Sequence, residues 1–252
     1  MMKNVGNWPA YLLHKWGVSK QHPFIIKAAN DVTLEAPDRM LQTAKEVFFA
    51  EDYRFDAMQP DILQQTDAPI VIDVGANVGY LSGFVFTRFP KAKVVSVEPM
   101  PKNLELLKRN RERNSGFDWQ LFEGVVSDSD TQVEIQFDDS DSFTTSASLV
   151  GLDKGPNSIK VNSLSLASLM SQFNINVIHV LKLDCEGSEY DILYSLDDEQ
   201  LKVIMFITME THEVDKDDKN MEAVIDWLKA KGFVVSVKHS RVLAKNRAFH
   251  GN

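Results

Sequence analysis

The sequence predicts an α/β fold built on a mostly parallel sheet with helices on both faces. From Pro69 onward, short runs rich in β-branched residues alternate with amphipathic helical patterns. Such alternation is typical of parallel sheets, in which helices cross over between neighbouring strands. The last two runs, 233–240 and 241–246, are close enough to form an antiparallel hairpin. With 252 residues and 44% hydrophobic content, the chain can bury one large core.

The predicted elements follow one another from residue 69. Strand patterns cover residues 69–75, 92–99, 118–127, 131–137, 177–187, 202–210, 233–240 and 241–246. Helical patterns cover residues 78–88, 101–114, 165–173, 188–196 and 219–232. Residues 1–66 mix aromatic residues, prolines and short apolar patches without a sustained period. We therefore expect residues 1–66 to form an N-terminal appendage or lid on a domain of residues 67–252.

The composition argues against polyanionic partners and against a membrane-spanning protein. The chain carries 27 Lys and Arg against 36 Asp and Glu, a formal net charge of −9, which opposes binding to nucleic acids and anionic membranes. Its one cysteine, Cys185, excludes an intrachain disulfide, and its first residues lack the apolar core of a signal peptide. No apolar stretch approaches the roughly 20 residues that span a bilayer. We expect a cytoplasmic protein with no nucleic-acid partner and no membrane span.

The segment VIDVGANVGY, residues 71–80, predicts a ligand-binding loop. Its apolar run forms a central strand, and GANVG joins that strand to a helix at the carboxyl edge of the sheet, where α/β proteins bind ligands. Gly75 permits the tight turn, and Gly79 lets the helix pack close to the strand. The first turn of the helix offers unpaired N–H groups to a polar ligand.

The residue types in this loop favour a sulfonium ligand over a dinucleotide. The dinucleotide fingerprint G-x-G-x-x-G requires glycine at two positions where this chain has Asn77 and Tyr80. Asp73, at the end of the strand, disfavours a pyrophosphate and favours a ligand with an ammonium or sulfonium group. S-adenosylmethionine carries such cations, and its carboxylate suits the N–H groups of the loop.

Glu98 and the following strand complete the predicted cofactor site. Glu98 lies 19 residues after Gly79, the position from which a carboxylate accepts hydrogen bonds from both ribose hydroxyls. This spacing suits any adenosine ligand. The sheet topology places Gly124 and Val125, in the third strand, beside the adenine.

A second motif, VLKLDCEGSEYDIL at residues 180–193, forms the strand beside the central one and the start of a helix. Asp184 ends that strand at the same sheet edge as Gly75. We expect the Asp184 carboxylate to face the cofactor pocket and to hold the acceptor or its proton. Glu189 lies in the first turn of the helix, where an acid favours the positive end of the helix dipole, and we interpret it as structural.

These motifs resemble the FkbM family of S-adenosylmethionine-dependent methyltransferases. The resemblance rests on VIDVGANVGY with VVSVEPMPKNLELLKRN, and on VLKLDCEGSEYDIL followed by ITMETH, and it covers roughly residues 46–212. It implies the class I methyltransferase fold, a Rossmann-like, seven-stranded and mostly parallel sheet with an antiparallel last strand. It also implies O-methylation of a hydroxyl on a small molecule or glycan, such as a sugar or another secondary metabolite.

The resemblance also implies roles for individual residues. Contacts to S-adenosylmethionine are implied for Asp73, Gly75, Asn77, Gly79 and Glu98. The residues implied to face the methyl acceptor are Asp184, Glu186 and Glu210. A lid over the cofactor would include Tyr53 and Glu46, which fit an ordinary packed helix equally well. The residues that depart from the family pattern are Cys185 and Met100.

A hydroxyl acceptor must lose a proton, so the site needs a base whose pKa lies near the working pH. A free aspartate has a pKa of about 3.9, so Asp184 would need burial or a neighbouring carboxylate such as Glu186 to raise it. His212 is the alternative, because an unperturbed histidine has a pKa of about 6.5. Asp184, Glu186, Glu210 and His212 could instead gather Mg²⁺ or Mn²⁺, although their spacing does not demand a metal.

Several functions remain open from the sequence alone. The first is an S-adenosylmethionine-dependent O-methyltransferase, with N-methylation or another reaction of that cofactor as a variant. The second is an NAD-dependent oxidoreductase, which Asn77 and Tyr80 disfavour, and the third is a non-catalytic nucleoside-binding module. The polar segment 142–151 is a candidate for ordering over the acceptor. The acceptor and the oligomeric state stay undetermined.

Overall fold

The structure, a computed structural model, describes residues 5–18, 22–50, 52–137, 148–149 and 156–249. The polar segment 142–151 lies outside the described residues, apart from residues 148 and 149. Within the described ranges the chain forms a seven-stranded central sheet, a second sheet of four strands and an N-terminal appendage with a two-stranded sheet. Every helix in these ranges falls short of the length and apolar character needed to cross a bilayer.

The N-terminal appendage consists of short helices and an antiparallel strand pair. Its elements are α1 (Trp8–Lys15), β1 (Phe24–Lys27), β2 (Thr33–Ala36), α2 (Leu41–Lys45) and α3 (Phe55–Gln65). Shorter turns are the 3₁₀ helices Ala29–Asp31 and Asp38–Met40 and the π-helix Glu46–Ala50. Pro9 lies in the first turn of α1, where a missing N–H breaks no helical hydrogen bond.

After the appendage the chain alternates between strands and helices. The strands are β3 (Ile70–Val74), β4 (Lys93–Glu98), β5 (Asp118–Glu123), β6 (Val125–Ser127), β7 (Thr131–Phe137), β8 (Ser148–Leu149), β9 (Asn157–Ser165), β10 (Ile178–Leu183), β11 (Ile204–Glu210), β12 (Phe233–Lys238) and β13 (Arg241–Asn246). The helices are α4 (Tyr80–Arg88), α5 (Pro101–Arg113), α6 (Leu166–Gln172), α7 (Glu189–Tyr194), α8 (Asp198–Lys202) and α9 (Met221–Ala230). Side chains of Ser165, Asp197 and Asn220 accept backbone N–H groups and so cap α6, α8 and α9.

The central sheet has the strand order β12-β13-β11-β10-β3-β4-β5 within the described residues. Its strand pairs are parallel except for the two that involve β13. Strands β3, β4, β10 and β11 are buried almost throughout, because apolar runs of this kind are covered on both faces. Strands β4 and β5 follow β3 outward on one side and β11 follows β10 on the other, so a crevice forms between β3 and β10. The predicted seven-stranded, mostly parallel sheet with a reversed last strand is confirmed.

A second sheet, which the sequence pattern does not predict, follows β5. It has the order β6-β9-β7-β8, with β6 parallel to β9 and the other pairs antiparallel. The pattern at 118–127 suggests one strand, but the chain leaves the central sheet at Gly124. A Cβ at Gly124 would lie 2.3 Å from the carbonyl oxygen of Asn162 in β9. Only glycine therefore fits where the chain passes from one sheet to the other.

The appendage shares a hydrophobic core with the helices on one face of the central sheet. The Phe84 ring in α4 contacts the rings of Phe48 and Phe55 at centroid distances of 5.5 and 6.0 Å. Asn110 in α5 accepts the backbone N–H of Glu35 in β2 at 2.7 Å. The described part of the appendage is therefore an integral layer of the fold, and the two-domain division of the chain stays a prediction.

We expect Phe84→Ala to lower the free energy of unfolding by about 3–5 kcal/mol, because the buried ring fills the contact between α4 and the appendage. The control is Leu63→Ala in α3, whose side chain is 51% exposed, with an expected change within about 0.5 kcal/mol. Denaturant unfolding followed by tryptophan fluorescence measures both variants. A second transition that Phe84→Ala leaves unshifted would contradict the shared core.

Candidate active site

A cleft of about 980 Å³, including its open mouth, lies at the carboxyl ends of β3, β4 and β10. This is the sheet edge at which the glycine loop is predicted to bind a ligand. One wall comes from the appendage, through Thr43, Val47 and Tyr53. Another wall comes from the passage into the second sheet, through Gly124 and Val125. The appendage therefore forms part of the cleft, and its role as a lid stays a prediction.

The glycine loop between β3 and α4 lies tightly between its neighbours. The N–H groups of Gly75 and Ala76 both donate to the carbonyl oxygen of Val97, at 3.0 and 2.9 Å. Gly75 has φ +73°, and a Cβ there would lie 1.8 Å from the carbonyl oxygen of Asp184. A side chain at this position would therefore push the loop away from β10. Gly79 precedes α4 at φ +85° and packs against Leu107 in α5 and Trp119 in β5, so it does not line the cleft.

Glu98 organises the cofactor side of the cleft. Its carboxylate accepts the backbone N–H groups of Asn77 at 2.8 Å and Met100 at 3.0 Å, and the side-chain amide of Asn103 at 3.1 Å. Burial raises the pKa of Glu98 to about 7, although these donors and the Lys182 charge oppose the rise. Asn77 lines the cleft, and its Oδ1 is buried without a hydrogen-bond partner among the described residues.

Asp73, predicted to contact the cofactor, is fully buried below the cleft rather than on its wall. Its carboxylate accepts the Ser82 hydroxyl at 2.7 Å and lies 3.2 Å from Nζ of Lys182 in β10. The same hydroxyl of Ser82 lies 2.7 Å from that of Ser96 in β4. Asp73 therefore joins β3, α4 and β10 beneath the glycine loop.

Lys182 is the main site residue that the sequence patterns did not identify. Its ammonium donates to the carbonyl oxygens of Val74 at 3.0 Å and Gly75 at 2.7 Å, and it lies 3.8 Å from Oδ2 of Asp184. Burial would lower the pKa of Lys182, but the charge of Asp73 and the other acidic groups raises it above its ordinary value. The sequence feature that could have identified it is a lysine inside the apolar strand VLKL, where a charged side chain needs a buried partner.

Asp184 lines the cleft and is held by the appendage. The Tyr53 hydroxyl donates to its Oδ2 at 2.6 Å. Burial alone would raise the pKa of Asp184, but the Lys182 ammonium and the Tyr53 hydroxyl lower it below its ordinary value. The condition for Asp184 to act as the base, a pKa raised by burial or by Glu186, is therefore not met, because the charge of Lys182 and the Tyr53 hydrogen bond outweigh burial. Asp184 is an ionised hydrogen-bond acceptor at neutral pH and a weak base.

His212 is held beside the cleft by Glu189. Its Nδ1 lies 3.0 Å from Oε1 of Glu189, and its Nε2 lies 3.9 Å from Oε2 of Glu186. Burial would lower the pKa of His212, but the hydrogen bond and charge of Glu189, with the charges of Glu186 and Asp184, raise it to about 9. Glu189 also accepts the N–H of Cys185 at 2.8 Å, so it does more than complement a helix dipole.

Glu210 and Glu46 lie away from the cleft wall. Glu210 pairs with Arg241 at 2.9 Å, and burial, with the charge of Asp184, raises the pKa of Glu210. The Arg241 guanidinium lies 4.5 Å from the centre of the Tyr53 ring, so it supports the residue that contacts Asp184. Glu46 accepts a hydrogen bond from Gln42 in the preceding turn.

The cleft brings together most of the predicted site residues. Those that line it are Tyr53, Gly75, Asn77, Glu98, Gly124, Val125, Asp184 and Glu186. Those that the structure places behind or beside it are Asp73, Gly79, Glu210 and His212. Both departures from the family pattern, Cys185 and Met100, also face the cleft. The four residues considered as an alternative metal group do not meet in this part of the structure: beside the cleft, the ligand atoms within 4.8 Å of one another belong to Asp184, Glu189 and His212.

A methyltransferase family model matches the chain, and two named relatives are similar to it over more than three quarters of its length. The family model described as Methyltransferase FkbM domain matches residues 73–235. Methyltransferase 1 from Beauveria bassiana is 22% identical over 211 residues, and the match covers 77% of this chain and 81% of the relative. AMB antimetabolite synthetase AmbE from Pseudomonas aeruginosa is 27% identical over 241 residues, and the match covers 79% of this chain but 11% of the synthetase.

A solved structure shares the fold. The crystal structure of methyltransferase FkbM from Methylobacillus flagellatus matches with a TM-score of 0.50 and 12% identity, over 71% of this chain and 44% of that chain. The family model covers well over half of this chain, from the end of β3 into β12. The family expected from the two sequence motifs is confirmed. The chain belongs to the FkbM methyltransferase family and is a methyltransferase.

Proposed function

We propose that the cleft binds S-adenosylmethionine and that the chain methylates a hydroxyl of a small molecule or glycan. The observation that carries this proposal is the Glu98 carboxylate, fixed to the glycine loop by the Asn77 N–H and facing the cleft in a chain of the FkbM family. When bound, S-adenosylmethionine supplies an electrophilic methyl group on a sulfonium.

The cofactor half of the cleft fits an adenosine ligand. A carboxylate offers about four acceptor positions, and Glu98 uses three of them, so it retains capacity for a ribose hydroxyl. Asn77 itself lines the cleft beside Glu98, so its backbone forms part of the wall next to the ribose position. Gly124 and Val125 line the wall to which we assign the adenine. We assign Asp73 to holding Lys182 and the loop, because it is covered from the cleft.

Asp184 orients the acceptor in this proposal. Its carboxylate is ionised at neutral pH and is held by the Tyr53 hydroxyl, so it can accept a hydrogen bond from an acceptor hydroxyl and fix its direction. Methyl transfer needs in-line alignment of the attacking lone pair, so positioning supplies much of the acceleration. Cys185 and Glu186 lie next along the chain and form the adjoining cleft wall.

His212 is the base in this proposal. Glu189 holds Nδ1, which leaves Nε2 directed toward Glu186, a residue of the cleft wall. The acceptor proton would pass to Nε2 by way of Glu186 or water. Because the pKa of His212 is about 9, the imidazole must lose its own proton before it can accept another.

N-methylation is the second candidate reaction. The ionised Asp184 and the nearby Glu186 would attract an ammonium acceptor as well as orient a hydroxyl. A small-molecule acceptor is supported by the relative named as an antimetabolite synthetase. A mass-spectrometric screen with methyl-labelled cofactor and a panel of alcohols, sugars and amines identifies the acceptor atom. Labelling of amines alone would replace O-methylation by N-methylation.

We expect S-adenosylhomocysteine to bind more tightly than NAD, with an affinity that falls as the pH drops through about 7. Below that pH Glu98 is protonated and loses acceptor capacity for the ribose, so the Kd rises by up to about tenfold per pH unit. Calorimetry between pH 5.5 and pH 8.5 (about 0.5-unit steps) measures both effects.

Glu98→Gln should weaken binding and abolish this pH dependence. The matched control is Glu123→Gln at the end of the neighbouring strand, where the side chain is 53% exposed. This variant should keep both the wild-type affinity and its pH dependence. Tight binding of NAD alone would refute the cofactor assignment. A Glu98→Gln variant that behaves like the wild type would refute the role of the carboxylate.

Asp184→Asn should lower kcat by about 10–100-fold, because it removes the charge that orients the acceptor while keeping the side-chain shape. The affinity for S-adenosylhomocysteine should change far less than kcat. Asp191→Asn in α7, an acid whose side chain is 42% exposed, is the control. Turnover of an acceptor found in the screen measures both variants, and unaltered turnover in Asp184→Asn would remove Asp184 from the mechanism.

The kcat of the wild type should rise with pH up to about 9, as the His212 imidazole loses its proton. His212→Gln should lower kcat by about 10²–10⁴-fold and remove that dependence. His239→Gln, at an exposed turn between β12 and β13, should leave the profile intact. A wild-type profile that is flat from about pH 7 to about pH 10 would exclude His212 as the base.

A further inference from the structure

Two histidines and one aspartate meet in the appendage, away from the cleft. His14 lies in α1, His22 precedes β1, and Asp38 begins the 3₁₀ turn before α2. Nε2 of His14 lies 2.8 Å and Nδ1 of His22 lies 3.1 Å from the same oxygen, Oδ1 of Asp38. One nitrogen or oxygen atom from each residue lies within 4.8 Å of the other two. None of the three residues lines the cleft described above.

Neighbouring aromatic rings hold His14 in place. Its side chain is 2% exposed. The ring stacks on Phe24 with centroids 5.2 Å apart and contacts the His22 ring edge-on at 5.1 Å. Phe24 is buried and contacts Tyr11 in α1. His14 is therefore a preorganised ligand, while His22 and Asp38, with side chains 58% and 57% exposed, leave the cluster accessible from solvent.

We propose that His14, His22 and Asp38 bind a Zn²⁺ ion, with water in the remaining coordination position. Two imidazoles and one carboxylate suit Zn²⁺, whereas Mg²⁺ and Ca²⁺ prefer oxygen ligands throughout. Tetrahedral bonds of about 2.0–2.1 Å place neighbouring ligand atoms about 3.3 Å apart. The observed separations of 2.8 and 3.1 Å are slightly smaller, so small outward movements of the exposed His22 and Asp38 would admit the ion.

The second cluster of potential ligands, beside the cleft, is less suited to a metal. Its members are Asp184, Glu189 and His212. Glu189 is fully buried, and its two oxygens accept the N–H groups of Cys185 and Gly187 at 2.8 and 2.7 Å. Metal binding there would break contacts that hold the loop after β10. Among the described residues, the side-chain hydrogen bonds of the two exposed members of the appendage cluster, His22 and Asp38, are to each other and to His14 rather than to the backbone.

A bound ion would tie α1 to the start of β1 and to the turn before α2. Two large apolar side chains of this region, Leu13 and Trp16, are 46% and 69% exposed, so apolar burial holds this end of α1 only in part. Helix α2 carries Thr43, which lines the cleft. The ion would therefore stabilise the appendage that forms one wall of the cleft, without taking part in methyl transfer.

The test uses the full chain without an affinity tag, stripped of metal by a chelator. Calorimetric titration with Zn²⁺ should give one ion per chain with a Kd of about 1 μM or lower. Zn²⁺ should also raise Tm, because an ion that binds the folded chain stabilises it by mass action. Co²⁺, used as a spectroscopic probe, should show the visible absorption of a tetrahedral site.

His22→Gln and Asp38→Asn should each weaken Zn²⁺ binding roughly tenfold or more. Both side chains are more than half exposed, so these variants should fold as the wild type does. His239→Gln, an exposed histidine elsewhere, and His212→Gln, in the second cluster, should leave Zn²⁺ binding unchanged. Absence of Zn²⁺ binding would overturn the proposal. Binding that survives His22→Gln and Asp38→Asn, or that is lost in His212→Gln, would also overturn it.

Discussion

The candidate site depends on the contacts of one buried group, the ammonium of Lys182. It lies between the carboxylates of Asp73 and Asp184 and donates to the backbone where β3 turns into the glycine loop. Removing one partner of such a buried pair typically costs about 3–5 kcal/mol. Lys182 and Asp73 are direct neighbours across β10 and β3, and a shift of one residue would turn one of them to the other face. The ion pair therefore fixes the position of the loop relative to Asp184.

Two kinds of feature could be predicted from sequence: single strands with a clear residue pattern, and residues at the carboxyl ends of neighbouring strands. The strand at 70–74, the glycine loop and Glu98 belong to these two kinds, because parallel strands align their carboxyl ends at one edge. The second sheet could not be predicted in this way. The run at 118–127 has the composition of a single strand, and its break at Gly124 depends on a carbonyl of Asn162 that lies far along the chain.

The pKa values of Asp184 and His212 were the least predictable part of the site, because they depend on which side chains the fold brings into contact. Asp184 has a lowered pKa because a lysine on its own strand and a tyrosine from the appendage stabilise its charge. His212 has a raised pKa because Glu189, which looks like an ordinary helix-start residue in sequence, is buried against it. Lys182 itself is a single lysine in an apolar strand, and only the register of β10 with β3 gives it partners.

The cleft is assembled from segments that lie far apart in the chain. Thr43 and Tyr53 come from the appendage, Glu98 from the central sheet, Val125 from the second sheet and Asp184 from the following strand. Any molecule that contacts all of these walls binds only the completed fold, so its concentration shifts the balance between folded and unfolded chains. In a cell depleted of that molecule, a larger fraction of this protein would be unfolded and open to proteases, with no change in its sequence.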